Sequence, residues 1–241
     1  MYRRLLLTLI ALAPAGFGSG ASSGAPTRIA PVSHFAEAEI ATNLGGTLKP
    51  SPYFKRRDLG DGISVEVPND WYELDRRAVN AINEQGAIVQ DVAGISDDTP
   101  QTRNLIKANS SEKDPGAILS INIDAPASLS PEDFTGMTNE VLAQSSGELR
   151  EGFESMARAG GFSFTKFYGA HLDKFGEYPA VVIEYQRTGI VKPGDFVVQI
   201  NQIAMKGKTV RLTMSYRIAD AFIWKARMAR IRKSLALHEA P

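Results

Sequence analysis

The chain has 241 residues, of which 43% are hydrophobic and 22% are charged, a composition typical of a folded globular protein. Basic and acidic residues balance at 27 each, so net charge gives no reason to expect nucleic acid or acidic lipid as a partner. Cysteine is absent, which excludes disulfide bonds, zinc–thiolate centres and thiol catalysis.

The first residues have the pattern of a secretory signal peptide. Arg3 and Arg4 precede the apolar run 5–13, which is too short to span a bilayer, and small residues follow up to Ala21. We therefore predict that residues 1–21 are a signal peptide and that the mature chain begins near Ser22. The predicted location is periplasmic or secreted, with no membrane span in the mature chain.

Residues 22–58 are predicted to be a flexible tether, because they are interrupted by Pro26, Pro31, Pro50 and Pro52. Residues 59–241 are predicted to form a single domain. Period-two alternation predicts its first strand over 63–67, which ends at Pro68. Trp71 follows, and we expect its large side chain to pack in the core. Helical spacing of apolar residues then predicts a helix over 75–92.

The middle of the chain predicts two strands, two helices and a further strand. Strands are predicted over 105–109 and 117–123, and Ser130 with the proline after it marks a helix start. An apolar face continues to Met156, but the small residues 145–147 favour a division into two helices. A strand is predicted over 162–168.

Residues 178–216 form the most regular part of the sequence. They predict three consecutive strands, and in the last of them Val210, Leu212, Met214 and Tyr216 alternate with polar residues. A basic amphipathic helix follows. Its stripe of Trp224, Met228, Ile231 and Leu235 is predicted to be core, with its basic residues on a solvated face. The alternative is that this basic face binds an anionic membrane or an acidic partner. The element order predicts an α+β fold, an antiparallel sheet with helices packed on it.

Four features together resemble the PsbP-like superfamily. They are the strand ending at Pro68 with Trp71 close behind, the segment 176–181 (GEYPAV) leading into an apolar strand, the strand segment 212–216 (LTMSY), and the terminal helix carrying 231–235 (IRKSL). The resemblance covers roughly residues 60–237. It implies an α/β/α sandwich around a mostly antiparallel sheet, and non-enzymatic binding, assembly or chaperone roles with unrelated partners. It implies no shared active site.

A polar sheet face is the predicted binding surface. If the apolar sides of the strands share one face, the opposite face gathers Glu66, Asn122, Glu184, Gln199, Asn201, Arg211 and Thr213. The alternative is an ordinary solvated sheet face without function. Arg211 lies in the middle of its strand. If this residue is covered, it needs a carboxylate partner, for which Glu184 and Glu66 are the candidates.

No catalytic, metal or cofactor site is predicted. His34, His171 and His238 are scattered without metal-ligand spacing, and no phosphate-binding glycine loop or dinucleotide motif is present. The predicted function is an exported, non-enzymatic binding or assembly factor whose partner is another envelope or secreted protein. One alternative is a chaperone or adaptor with an open apolar groove that shields segments of a secreted client. Another is a hydrolase, which would require His171 beside a serine or an acid.

Overall fold

The computed structural model describes residues 48–75, 77, 101–159, 162–189 and 194–239. The predicted signal peptide and nearly all of the helix predicted over 75–92 lie outside these residues. In the described part of the chain no helix is long and apolar enough to cross a membrane.

The described residues form ten strands and three α-helices. The strands are β1 (Phe54–Gly60), β2 (Ile63–Pro68), β3 (Tyr72–Glu73), β4 (Gln101–Asn109), β5 (Ala117–Ala125), β6 (Phe164–Phe175), β7 (Tyr178–Thr188), β8 (Asp195–Met205), β9 (Lys208–Arg217) and β10 (Ala236–Leu237). The helices are α1 (Asn139–Gln144), α2 (Ser146–Ala159) and α3 (Ala221–Ser234), and a short 3-10 helix spans Pro131–Phe134. The predicted division of the middle helix is confirmed, since one residue, Ser145, separates the end of α1 from the start of α2.

Two antiparallel sheets contain all of these strands. The main sheet has seven strands in the order β3-β4-β5-β9-β8-β7-β6, and the small sheet has the order β1-β2-β10. Short turns connect β6 to β7 and β8 to β9. They contain Gly176 and Gly207, whose positive φ angles of 64° and 74° favour glycine. The predicted α+β architecture is confirmed.

The small sheet and α3 cover one face of the main sheet, which we call the first face. Ile63 and Val65 of β2 and Met228 of α3 join Leu119 and Leu212 in one buried cluster. Trp71 belongs to the same cluster with 4% of its surface exposed, so its predicted core position is confirmed. Its ring meets that of Trp224 edge to face, with centroids 6.1 Å apart.

Helices α1 and α2 cover part of the opposite face, which we call the second face. Leu142 of α1 and Phe153 of α2 pack with Ile183 and Tyr185 of β7 in a separate buried cluster. The ring centroids of Phe153 and Tyr185 lie 5.0 Å apart. The main sheet is thus the middle layer of three, as the sandwich prediction requires.

Three strands were not predicted. β1 begins at Phe54, inside the segment predicted as a tether, and its sequence FKRRDLG has no apolar alternation. β3 and β10 have two residues each, which is too short for any periodic signal. β1 forms because β2, whose apolar side is buried in the first-face core, offers it a complete antiparallel edge.

Candidate functional site

The sheet registers divide the predicted polar face into two sets on opposite faces. Leu212 of β9 lies opposite Asn201 of β8, and Met214 lies opposite Gln199. Residues opposite each other on neighbouring strands share a face, so these two polar residues lie on the first face among apolar neighbours. The assumption of a single polar face is therefore wrong. It failed because every residue of β8 from Phe196 to Met205 is buried, so polarity no longer marks the solvent side.

The first-face set is a buried hydrogen-bonded cluster. Glu184 of β7 lies opposite Gln199, and both side chains are almost fully buried. The Nδ2 of Asn201 donates to Gln199 Oε1 at 3.3 Å and to the carbonyl of Leu212 at 3.1 Å. Arg232 of α3 donates from Nε to Asn201 Oδ1 at 3.1 Å. This cluster therefore fastens α3 to the sheet.

The three arginines of α3 also pair with carboxylates outside the helix. Arg232 bonds to Asp173 of β6 through Nη2. Arg230 donates from Nε to Glu66 Oε2 at 2.8 Å, and Arg227 forms an ion pair of 3.0 Å with Asp70. Glu66 thus lies in the small sheet with its own partner, away from the rest of the predicted set. The predicted solvated basic face is confirmed only in part: Lys233 is exposed and the Arg227 pair lies at the surface, whereas Arg230 and Arg232 are largely buried. The apolar stripe packs in the core as predicted, with Met228 and Ile231 buried and Trp224 and Leu235 partly buried.

The second-face set stays together. Asn122 of β5 lies opposite Arg211 of β9, and Ser120 lies opposite Thr213. On the other side of β5, Lys107 of β4 lies opposite Ser120. These residues belong to a polar area that we call the polar half-face, which comprises Thr102, Lys107, Ser120, Asn122, Asp124, Thr209, Arg211 and Thr213.

A buried ion pair forms the floor of the polar half-face. Arg211 Nη2 donates to both carboxylate oxygens of Asp124 at 2.6 and 2.7 Å, and the two side chains are 4% and 1% exposed. Two hydroxyls complete the shell: Thr102 donates to Asp124 Oδ1 at 2.8 Å and Ser128 donates to Oδ2 at 3.0 Å. The prediction that Arg211 is covered and paired is confirmed.

The partner predicted for Arg211 is wrong, since neither Glu184 nor Glu66 lies near it on the second face. The sequence carried a signal for the actual partner. Asp124 continues the period-two series of Ser120 and Asn122 along β5, and that series faces the polar side of β9.

One end of the polar half-face is closed by the segment that follows β5. The backbone N–H of Leu129 donates to Thr209 Oγ1 at 2.8 Å, and that hydroxyl donates to the carbonyl of Leu129 at 2.9 Å. Leu129 is itself buried in the core beneath α1 and α2. The segment is therefore pinned to the sheet, which gives the polar half-face a fixed wall.

Lys107 was not recognised from the sequence. Its side chain is half-buried, and burial lowers the pKa of its ammonium group below the usual value. No ion pair or side-chain hydrogen bond of Lys107 occurs within the described ranges. A β-bulge between Asn104 and Ile106 changes the phase of β4, so alternation in the sequence could not assign a face to Lys107.

His171 lies elsewhere, on β6 opposite Val182. The charged groups that influence it are Asp173 and Arg232, which bond to each other. No hydrogen bond joins His171 to a serine or threonine in the described part of the chain. Nor do the described residues contain a group of three or more His, Asp or Glu side chains that could hold a metal ion.

An open pocket of about 550 Å³ lies at the end of the sheet, beside the β8–β9 turn. Its lining has mixed charge, and part of that charge is already engaged. Arg103 pairs with Asp61, and Lys208 donates from Nζ to the carbonyl of Asp61 at 2.7 Å. The residues that line the pocket therefore indicate a particular class of ligand less clearly than the residues of the polar half-face do.

No protein-family model and no curated protein matches the chain. Among solved structures it is similar to a PsbP from the cyanobacterium Synechocystis sp. PCC 6803, with 14% identity and a TM-score of 0.46 over 81% of this chain and 99% of that one. It is also similar to LpqN of Mycobacterium tuberculosis, described as involved in cell envelope biogenesis, with 14% identity and a TM-score of 0.40 over 76% of this chain and 90% of that one.

A third similar structure is a Pseudomonas aeruginosa protein of unknown function, with 13% identity and a TM-score of 0.39 over 78% of this chain and 100% of that one. At these identities and TM-scores the likenesses assign no partner and no residue role to this chain.

Proposed function

We propose that the protein is an exported, non-enzymatic binding or assembly factor that holds another envelope or secreted protein on its polar half-face. Export is inferred from the arginine-flanked apolar run 5–13 and the small residues after it. The binding role is inferred from the second face of the main sheet.

The observation that carries the proposal is a half-buried area with uncommitted hydrogen-bonding groups. Ser120 donates to Asn122 Oδ1 at 3.1 Å, which leaves the Nδ2 donors of Asn122 without a protein partner in the described ranges. The hydroxyl of Thr213 likewise has no side-chain hydrogen bond there. These groups sit above a fixed floor, the ion pair of Arg211 and Asp124. A surface whose side chains are already fixed loses little conformational entropy when a partner binds to its free polar groups.

The absence of catalysis is part of the proposal. The hydrogen bonds of the polar half-face commit its one carboxylate, Asp124, to Arg211 and two hydroxyls, which leaves it poorly placed to act as a general base. His171 is not hydrogen-bonded to a nucleophile among the described residues. No observation favours the chaperone alternative either. The large exposed apolar side chains found in the described residues are Tyr53, Tyr72, Phe222 and Ile223, which come from three different segments of the chain.

Site-specific photo-crosslinking in intact cells tests the proposal. A photoreactive amino acid is placed at Asn122, at Thr213, and at the control position Glu151, which is exposed on α2. We expect Asn122 and Thr213 to capture the same protein from the envelope and Glu151 not to capture it. Capture of that protein equally at all three positions, or at neither sheet position, would refute a binding role for the polar half-face.

A further inference from the structure

The polar half-face carries one positive charge that nothing on it compensates. Its charged members are Lys107, Arg211 and Asp124, and the last two neutralise each other in a buried ion pair. Lys107 has no carboxylate partner within the described ranges. The three polar residues nearest to it in the register, Ser120, Thr213 and Asn109, are uncharged.

A half-buried ammonium group without a counter-charge is costly to the folded protein. Partial burial removes water from the charged form, and neutral neighbours repay this cost incompletely. Burial is also the cause that lowers the pKa of Lys107. A carboxylate placed beside the ammonium group would restore the favourable electrostatics in a partly desolvated site. The geometry of the half-face therefore selects an anion.

The neighbouring groups favour a peptide carboxylate over a phosphate. One lysine matches the single charge of an aspartate or glutamate side chain, and the only guanidinium on the half-face, that of Arg211, is already bonded to both oxygens of Asp124. Ser120 and Asn122 offer both donors and acceptors, as a peptide backbone does.

We propose that the polar half-face binds an acidic peptide segment of a partner protein, with an aspartate or glutamate carboxylate on Lys107 and the peptide backbone on Ser120, Asn122 and Thr213. This inference rests on the proposed function, because it names the chemistry that the same surface recognises. Its test is independent of partner capture.

The test is a titration of the full-length, ¹⁵N-labelled protein followed by NMR. The probes are a short glycine–serine peptide that contains glutamates, the same peptide with glutamines in their place, inorganic phosphate, and vesicles of anionic phospholipid. We expect the glutamate peptide to shift the amide signals of β4, β5 and β9. The glutamine peptide is expected to bind about tenfold more weakly, since a partly buried ion pair contributes about 1.4 kcal/mol or more.

Two variants of equal charge show whether Lys107 is the contact. Lys107→Gln is expected to weaken binding of the glutamate peptide by about tenfold. Lys113→Gln removes an exposed lysine from the turn of the same β4–β5 hairpin and is expected to leave binding unchanged. Thermal unfolding of each variant checks that it is folded.

The inference is overturned by any of three results: equal binding of the glutamate and glutamine peptides, equal effects of the two lysine variants, or binding of phosphate or vesicles in preference to the glutamate peptide. The two proposals can fail separately. Capture of one protein at Asn122 and Thr213 without binding of the acidic peptide would leave the proposed function standing and refute this inference. Binding of the peptide at Lys107 without any capture would refute the proposed function.

Discussion

Replacing Arg211 by methionine is expected to lower the free energy of unfolding by about 3–5 kcal/mol, because the change leaves the carboxylate of Asp124 buried without its counter-charge. Both side chains are nearly inaccessible, at 4% and 1% exposure, and one guanidinium nitrogen bonds both carboxylate oxygens at 2.6 and 2.7 Å. In the variant, Asp124 keeps the hydroxyl bonds from Thr102 and Ser128. Each such bond contributes about 1 kcal/mol net, which does not offset a burial cost of several kcal/mol for the stranded ion.

Urea unfolding followed by tryptophan fluorescence measures this loss, since Trp71 is buried in the first-face core. Arg150→Met is the matched control. It removes an exposed arginine paired with Glu154 on α2 and is expected to change stability by about 0.5 kcal/mol or less. The double variant Arg211→Met/Asp124→Leu removes both charges and is expected to recover most of the loss. A loss below about 1 kcal/mol for Arg211→Met would show that the pair is not desolvated. A double variant as unstable as the sum of its single variants would refute the stranded-charge explanation.

Three further predictions concern other parts of the chain. Trp71→Ala is expected to cost about 3–5 kcal/mol in the same unfolding assay, because it opens a cavity beside Trp224, and a loss below about 1 kcal/mol would contradict its core role. Lys107→Met is expected to raise the free energy of unfolding at pH 7 by about 0.5 kcal/mol or more, because it removes a half-buried, uncompensated charge. The pKa of Lys107 in the folded protein lies below the ordinary 10.5, so as the pH rises the ammonium group loses its proton in the folded state before it does so in the unfolded state. The free energy of unfolding of the wild-type chain is therefore expected to approach that of the variant at alkaline pH, and a difference that does not change with pH would contradict this. N-terminal sequencing of the exported protein is expected to begin near Ser22, and retention of Met1 would contradict the predicted signal peptide.

The sequence predicted the elements whose two sides differ in polarity. In β9, polar and apolar residues alternate without interruption, and the structure places Leu212 and Met214 in the core with Arg211 on the opposite face. The break between α1 and α2 was predicted for a similar reason, since Ser145 and Gly147 interrupt an otherwise continuous helical pattern. Local pattern is sufficient wherever one side of an element meets solvent or a polar surface.

Local pattern failed where both sides of a strand are buried or where pairing alone makes the strand. β8 is covered on both faces, so Gln199 and Asn201 are polar because they bond inside the protein and not because they face solvent. β1 has no apolar side and depends on the edge of β2. The face of Lys107 is set by a bulge whose position the sequence does not mark. In each case the outcome depends on which strand pairs with which and in what register, and the sequence of one strand alone does not specify this.

The polarity of the second face changes between two adjacent strands, and this change coincides with the edge of the proposed binding surface. Across the pairing of β8 with β9, Ile200 lies opposite Thr213 and Ala204 lies opposite Thr209. The apolar members belong to the cluster packed by α1 and α2, whereas the polar members belong to the polar half-face. If helices covered this whole sheet face, its residues on β9 and β5 would be expected to be apolar. Apolar contacts stabilise such a layer, and a buried ion pair is seldom more stabilising than apolar residues of the same volume. This area instead contains the buried ion pair of Arg211 and Asp124, together with Lys107, which has no carboxylate partner among the described residues. Residues that do not maximise stability are expected at a surface where recognition of a partner determines which residue types are retained.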